Sequence, residues 1–222
     1  MGLILPIVFL GLMASLSPAT IVVFMLVLGT ARARVNAVGF LFGWGLSLTL
    51  VFVGSYALAE SGASETAGGR TSVAVLEILL GFVLLVVAAR MWRRGQTAPR
   101  STETAGWGAD RLMGHMHGLT PLGAAVVGVL KQPWAITIAA ALVVVHHHTT
   151  GLLVAIAFAL FTVASTATVG LMFLYYDRNP GEAQAQLAAL RDRVVAAGPA
   201  MGALVGMLVG GFLMIDGLIS LK

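Results

Sequence analysis

The chain has 222 residues, of which 59% are hydrophobic and only 10% are charged, and its mean hydropathy is +0.96. Soluble domains carry about 25% charged residues, so this composition predicts a membrane protein with several transmembrane helices. The net charge of +4 does not indicate nucleic-acid binding, because loop arginines that set membrane orientation account for it. Cysteine is absent, which excludes a dithiol relay and a thiolate metal site, and no cofactor is expected.

Six apolar segments, each long enough to cross a membrane, follow one another along the chain. We predict helices over Leu3–Leu28, Ala37–Leu58, Ser72–Met91, Leu119–Val145, Leu152–Tyr175 and Pro199–Leu221. A loop over residues 93–118 separates two halves, residues 3–92 and 119–221. An amphipathic helix over residues 181–196 is expected to lie on the membrane surface. The predicted fold is therefore an all-α polytopic membrane protein with one transmembrane domain, residues 1–222.

Basic residues in the loops predict how the chain sits in the membrane. The loops after helices 1, 3 and 5 contain Arg32, Arg34, Arg90, Arg93, Arg94, Arg100, Arg111, Arg178, Arg191 and Arg193. On the other side stand only Arg70 and Lys222. Because positive loops face the cytoplasm, we expect a multi-pass protein of the cytoplasmic (inner) membrane with both termini outside.

The two halves of three helices enter the membrane from opposite sides, so a resemblance between them indicates an inverted-topology repeat. Pro18 and Pro133 each interrupt the first helix of a half. The third helices share a short pattern, Leu80-Gly81-Phe82 in one and Gly210-Gly211-Phe212 in the other. Together these features predict a 3+3 repeat in which helices 1 and 4 are broken.

The two proline breaks are the candidate substrate site. Proline removes a backbone hydrogen bond that lipid cannot replace, so a break at membrane depth faces protein or a water-filled cavity. Lys131 lies about 18 Å along its helix, where an ammonium needs a partner or water, and it is the candidate for an anionic group. The alternatives are prolines that form only packed kinks, hydroxyls that bind carbonyls of their own helix, and a lysine that reaches the inner surface. The predicted substrate-binding residues are Ser15, Ser17, Pro18, Thr20, Lys131, Gln132 and Pro133.

Glu77 and Asp216 are the two acids inside predicted transmembrane helices, each near the outer end. They are candidates for coupling transport to protonation, and an outer-interface position with access to water is the alternative. The histidines at 146–148 and at 115 and 117 lie on opposite membrane faces, so no metal site is predicted. Neither an HExxH pair nor a GxSxG elbow is present, so no enzyme activity is expected.

Glycines recur at helix-contact spacing in helices 2 and 6, at Gly39, Gly43, Gly202, Gly206 and Gly210. Small residues at this spacing let two helices approach closely. Tight packing within the chain explains them, and a homodimer through these glycine-rich faces is a further expectation.

Four segments carry a family resemblance: Ala14-Ser15-Leu16-Ser17-Pro18-Ala19-Thr20, Ala31-Arg32-Ala33-Arg34-Val35-Asn36-Ala37, Phe40-Leu41-Phe42-Gly43-Trp44 and Lys131-Gln132-Pro133-Trp134. Through them the chain resembles the LysE superfamily of exporters, which use six helices and two proline-broken segments. Closer still, it resembles the actinobacterial GAP family, the peptidoglycolipid-addressing proteins. The resemblance implies export across the cytoplasmic membrane, with cell-envelope glycolipids or lipid-linked precursors as cargo.

The resulting hypothesis is an exporter or flippase that moves an anionic, lipidic substrate by alternating access. Membrane lipids are its expected partners. One alternative is an exporter of small solutes such as amino acids or cations, and another is a non-transporting scaffold for envelope assembly. A lateral opening favours the lipid, a closed aqueous cavity favours the small solute, and a filled core favours the scaffold.

Overall fold

The computed structural model describes residues 2–64, 69–97, 118–147 and 151–221. Within these ranges the chain is all-helical, without strands. The helices are α1 (Ile4–Ser15), α2 (Pro18–Leu28), α3 (Ala33–Ser64), α4 (Gly69–Thr97), α5 (Pro121–Lys131), α6 (Trp134–His146), α7 (Gly151–Arg178) and α8 (Pro180–Ser220). By length and composition, four of them can each cross a membrane, and six crossings result if each bent pair is one span.

Both predicted breaks are present. The axes of α1 and α2 differ by 53°, and those of α5 and α6 differ by 59°. Pro18 is the first residue of α2, a position where its missing N–H leaves no intrahelical bond unmade. Pro133 directly precedes the first residue of α6. Because both bends are well below a right angle, the second helix of each pair continues forward, as expected for one bent crossing.

The long helix α3 runs parallel to α5. Gly43 lies against the backbone of Ala125, and one turn further the hydroxyl of Ser47 reaches the carbonyl oxygen of Val129 at 3.5 Å. A side chain at Gly43 would collide with the Ala125 carbonyl, so glycine is required for this approach. This contact accounts for the predicted glycines of the second helix, Gly39 and Gly43.

The first helix of the chain pairs with α7 in the same manner. Gly11 lies against Ala164, and one turn further Ser15 meets Thr168. Residue numbers rise together along both helices, so α1 and α7 are also parallel. These directions agree with six alternating crossings of the membrane.

Helices α4 and α8 form the most extensive contact in the molecule and run antiparallel. At its centre a side chain carbon on either Gly81 or Gly210 would come within 2.8 Å of the other's carbonyl oxygen. Gly202 and Gly206 also face α4, against Met91 and Ala88. The glycine-rich faces predicted for a homodimer are thus occupied by helices of the same chain.

The core lies around α2 and α6, which are the most enclosed helices. Seven consecutive residues of α6, from 139 to 145, are buried, as expected for a helix that is apolar on all sides. The large aromatic side chains Phe24, Phe40 and Trp44 pack beside them. The long helices surround this centre, and their exposed faces are rich in leucine, valine and phenylalanine.

The carboxyl-terminal part differs from the prediction. The helix expected over residues 181–196 and the one expected over Pro199–Leu221 form a single helix, α8, with Pro199 inside it. One proline removes one backbone bond, and packing against α4 keeps the helix continuous across that position. The second, third and fifth predicted helices extend beyond their predicted ends, and the first and fourth are each a bent pair within about two residues of the predicted bounds. Most of the predicted loop over residues 93–118 falls outside the described residues.

Candidate functional site

The two breaks are in direct contact. The hydroxyl of Thr20, in the first turn of α2, donates to the carbonyl oxygen of Lys131 at 2.8 Å. Its oxygen also lies 3.1 Å from the hydroxyl of Ser17. Thr20 is 2% exposed, so this bond forms away from solvent. The hydrogen bond supplies a partner for one of the carbonyls that the break in the second half leaves without a helical donor.

The second break is also joined to its neighbours by Gln132. Its side-chain nitrogen donates to the Thr137 hydroxyl at 2.6 Å, and its oxygen accepts from the Ser47 hydroxyl at 3.0 Å. All three side chains are buried. Gln132 therefore ties the break to α3 and α6, and its amide already has partners within the protein.

Ser15, at the end of α1, plays the corresponding part in the first break. Its hydroxyl lies 2.5 Å from the hydroxyl of Thr168 and accepts from the Thr168 backbone N–H at 3.0 Å. Each break is thus bonded to one long helix, the first to α7 at Thr168 and the second to α3 at Ser47. Ser47 lies about halfway along α3, and Thr168 lies about two thirds of the way along α7.

A cavity of about 510 Å³ lies beside the breaks, between α2, α4, α6 and α8. Ser17 is the one residue of its lining with a polar side chain. The other lining residues are Pro18, Ala19, Val22, Val23, Leu84, Val87, Ala88, Met91, Pro133, Ala135, Ile136, Val194, Val195, Gly198, Gly202, Val205, Gly206 and Val209. The volume is typical of ligand sites, and the lining suits a hydrocarbon chain. Val87 is 46% exposed, so the cavity reaches the outside of the helix bundle.

The seven predicted site residues fall into three groups: those that line the cavity, those that are buried in the hydrogen bonds at the breaks, and Lys131. Ser17, Pro18 and Pro133 line the cavity. Ser15, Thr20 and Gln132 are buried in the hydrogen bonds that hold the breaks and do not line it.

Lys131 lies at the second break, but its side chain is outside the cavity. Its side chain is exposed and is not part of the cavity lining, so only its backbone oxygen belongs to the junction of the breaks. Lys131 is the last residue of α5, where a positive charge interacts favourably with the carbonyl end of a helix. This terminal interaction gives the ammonium a role without a ligand, and the binding of an anionic group by Lys131 stays a prediction.

The amino-terminal ends of α2 and α6 both reach the cavity. Ala19 and Ala135, in their first turns, are lining residues, and neither helix is capped by a side chain. The first N–H groups of a helix have no intrahelical acceptor, and they carry partial positive charge. The breaks thus place two weakly positive ends at the wall of an otherwise apolar cavity.

Helices α4 and α8 supply much of the lining, and the prediction omitted them. Gly198, Gly202, Val205 and Gly206 follow one another at helical spacing along the cavity face of α8. The glycine spacing was detectable in the sequence, and it correctly indicated close packing. It carried no information that the same helix face also borders an open space.

Glu77 and Asp216 are brought together at the end of the bundle beyond the breaks. Glu77 is fully buried in α4, and neither of its oxygens accepts a hydrogen bond. The Nδ1 atom of His146, at the end of α6, lies 3.8 Å from Glu77 Oε2. Asp216 of α8 is close enough to interact electrostatically with Glu77. In the part of the chain that the structure describes, no group of three or more metal-ligating side chains occurs.

The chain matches a known protein family. A family model described as "Sap, sulfolipid-1-addressing protein" matches residues 7–219, nearly the whole chain. No curated protein and no solved structure gives a significant match. The match agrees with the resemblance to the peptidoglycolipid-addressing proteins, whereas membership of the LysE superfamily stays a prediction.

Proposed function

The chain belongs to the sulfolipid-1-addressing protein family, and we propose that it moves an amphipathic envelope lipid or lipid-linked precursor across the cytoplasmic membrane. One observation carries this proposal: the space beside the two breaks is an apolar cavity that reaches the outside of the bundle. Such a cavity accepts an acyl chain from the surrounding lipid without desolvating polar groups. A hydrophilic solute would find one hydroxyl among the lining side chains, so the small-solute alternative is disfavoured.

In this proposal the apolar part of the cargo occupies the cavity and its headgroup passes the level of the breaks. The uncapped ends of α2 and α6 would favour a negatively charged headgroup there, as broken helices do in other transporters. In this proposal the positive potential that attracts the headgroup comes from the amino-terminal ends of the two helices rather than from the side chain of Lys131.

Alternating access would follow from a 3+3 inverted-topology repeat over residues 3–92 and 119–221. Several contacts support such a repeat. The second helix of each half packs in parallel on the first helix of the other half, α3 on α5 and α7 on α1. The third helices, α4 and α8, pack on each other at Gly81 and Gly210. Rocking of the broken helices around their junction would then expose the cavity to either side.

The cavity can be tested by filling it. Val205 lines it, whereas Leu204 is 57% exposed on another face of the same helix. We expect native mass spectrometry to find a lipid bound to the wild type and to Leu204→Trp that Val205→Trp has lost. Cellular export of that lipid should fall in parallel. Equal lipid on all three proteins would mean that only surrounding membrane lipid was detected, and the cavity would not be the cargo site.

A further inference from the structure

The cavity lies toward the ends of the helices that join the arginine-rich loops. On α4 its lining, from Leu84 to Met91, falls in the second half of the helix, and on α2 the lining follows the first break. On α8 the lining begins with Val194. These ends are the ones expected to face the cytoplasm. A lipid of the leaflet on that side directs its acyl chains toward the breaks, so its headgroup would lie where the cavity ends.

Arg191 continues the cavity face of α8 in this direction. It lies four residues before Val195 and seven before Gly198, both of which line the cavity. Residues at this spacing share one face of a helix, so Arg191 lies on the cavity face, one turn before the lining begins. Its side chain is 22% exposed, whereas that of the neighbouring Asp192 is 70% exposed. A mostly enclosed cation therefore stands at the end of an apolar cavity.

Packing fixes this part of α8 against the bundle. The hydroxyl of Tyr175, near the end of α7, donates to Gln186 Oε1 at 2.6 Å. Leu187 and Val194, which lie on either side of Arg191 along the helix, are both buried in the core. The guanidinium is thus attached at the edge of the apolar core, as a group that contacts the headgroup of a lipid must be.

The guanidinium retains hydrogen-bonding capacity. Within the described residues its partner is Asp192 Oδ1, which accepts from Nε and from Nη2, each at 3.1 Å. An ion pair with so exposed a carboxylate contributes little, because water already solvates the carboxylate. The other N–H groups of Arg191 can still donate to a ligand, and a planar guanidinium matches two oxygens of a phosphate or similar oxoanion.

We propose that Arg191 binds the oxoanion headgroup of a lipid whose acyl chain occupies the cavity. This is the loading position of the cargo, reached from the leaflet on the side of the arginine-rich loops before the headgroup passes the breaks. The inference rests on the proposed transport function and adds to it the class of headgroup and the side of entry. A soluble oxoanion has no acyl chain for the cavity, so it makes only the contact with the arginine.

Two lipids that differ only in a phosphate test this site. Dioleoyl phosphatidic acid and dioleoylglycerol have the same acyl chains, and native mass spectrometry of the delipidated full chain in detergent gives an apparent dissociation constant for each. We expect the wild type to bind phosphatidic acid about tenfold more tightly, the size of one hydrogen bond between charged groups. Arg191→Gln should abolish this preference while leaving the binding of dioleoylglycerol unchanged.

Matched variants control the measurement. Arg193→Gln removes the same charge from the opposite face of α8, where the side chain is exposed, and should keep the preference. Asp192→Asn releases the guanidinium from its carboxylate partner and should increase the preference. Arg191→Lys keeps the charge without the planar fork and should reduce the preference, so it carries the test if Arg191→Gln fails to fold.

Three results would overturn the headgroup site: no preference in the wild type, an undiminished preference in both variants of Arg191, or an equal loss in Arg193→Gln. Displacement of phosphatidic acid by an equal concentration of glycerol phosphate would also overturn it, because the site would then bind soluble anions. The cavity is tested separately by Val205→Trp, which should weaken the binding of both lipids alike. If both lipids still bound to Val205→Trp, the cavity proposal would fail whatever the arginine variants did.

Discussion

The hydroxyl of Thr20 is the direct link between the two breaks, and its acceptor is a backbone oxygen. Thr20→Val removes the donor and leaves the Lys131 carbonyl oxygen without it. A buried polar group left unpaired costs about 1–3 kcal/mol. We expect a lower melting temperature for Thr20→Val in detergent, measured by thermal denaturation followed by size exclusion.

Two variants control this prediction. Thr20→Ser keeps the hydroxyl and should retain most of the stability. Lys131→Met changes a side chain that is exposed while leaving its carbonyl in place, so stability should change by less than about 0.5 kcal/mol. If Lys131→Met were as destabilising as Thr20→Val, the lysine side chain would have a role that its exposure does not indicate.

Some positions at the residue scale were predictable from the sequence, and others were not. Pro18 and Pro133 identify the breaks because the loss of a backbone N–H is a property of the residue itself. The role of Lys131 was not predictable, because its depth along a helix is read from the sequence but the direction of its side chain depends on the neighbouring helices. Thr137, a partner of Gln132, carried no local signal, since a threonine in an apolar helix usually bonds its own backbone.

At the scale of the elements, the contact between α4 and α8 depends on glycine. Gly81→Ala would place a carbon 2.8 Å from the carbonyl oxygen of Gly210, so the two helices must separate. Such overpacking costs about 1–3 kcal/mol. Gly54→Ala in α3 meets nothing within 4 Å and should instead stabilise the protein by about 0.5–1 kcal/mol through helix propensity.

The two substitutions are expected to change the stability in opposite directions, so they control for each other. Both effects are measured as shifts in melting temperature. A stabilising Gly81→Ala would mean that α4 and α8 lie further apart than their carbonyl contacts indicate. Neither glycine lines the cavity, so a change in stability can be separated from a change in lipid binding.

The elements themselves were largely predictable, because apolar segments of membrane-spanning length are a strong signal. The single helix α8 was not, since charges and Pro199 between two apolar stretches usually indicate a boundary. Packing on α4 outweighs that local signal. The cavity was also beyond prediction, because it depends on how far four helices stand apart rather than on any one motif.

At the scale of the whole molecule, the number of crossings decides whether the two halves are inverted. If each bent pair is one span, the chain crosses six times, and the exposed residues Gly2 and Gly151 lie on one side with Ala31 and Gly118 on the other. If each pair instead turned back, Gly2 would share a side with Ala31, and Gly118 with Gly151. The bends of 53° and 59° favour six crossings.

Single cysteines distinguish these topologies in the cysteine-free chain. We expect a membrane-impermeant maleimide to label Gly2→Cys and Gly151→Cys in intact cells. Ala31→Cys and Gly118→Cys should react only after permeabilisation, because the arginine-rich loops are expected to face the cytoplasm. Labelling of Gly2→Cys and Ala31→Cys from the same side would remove the first crossing, and with it the inverted repeat on which alternating access depends. The expected pattern would instead place the junction of Thr20 and Lys131 inside the membrane, where transport by rocking of the broken helices requires it.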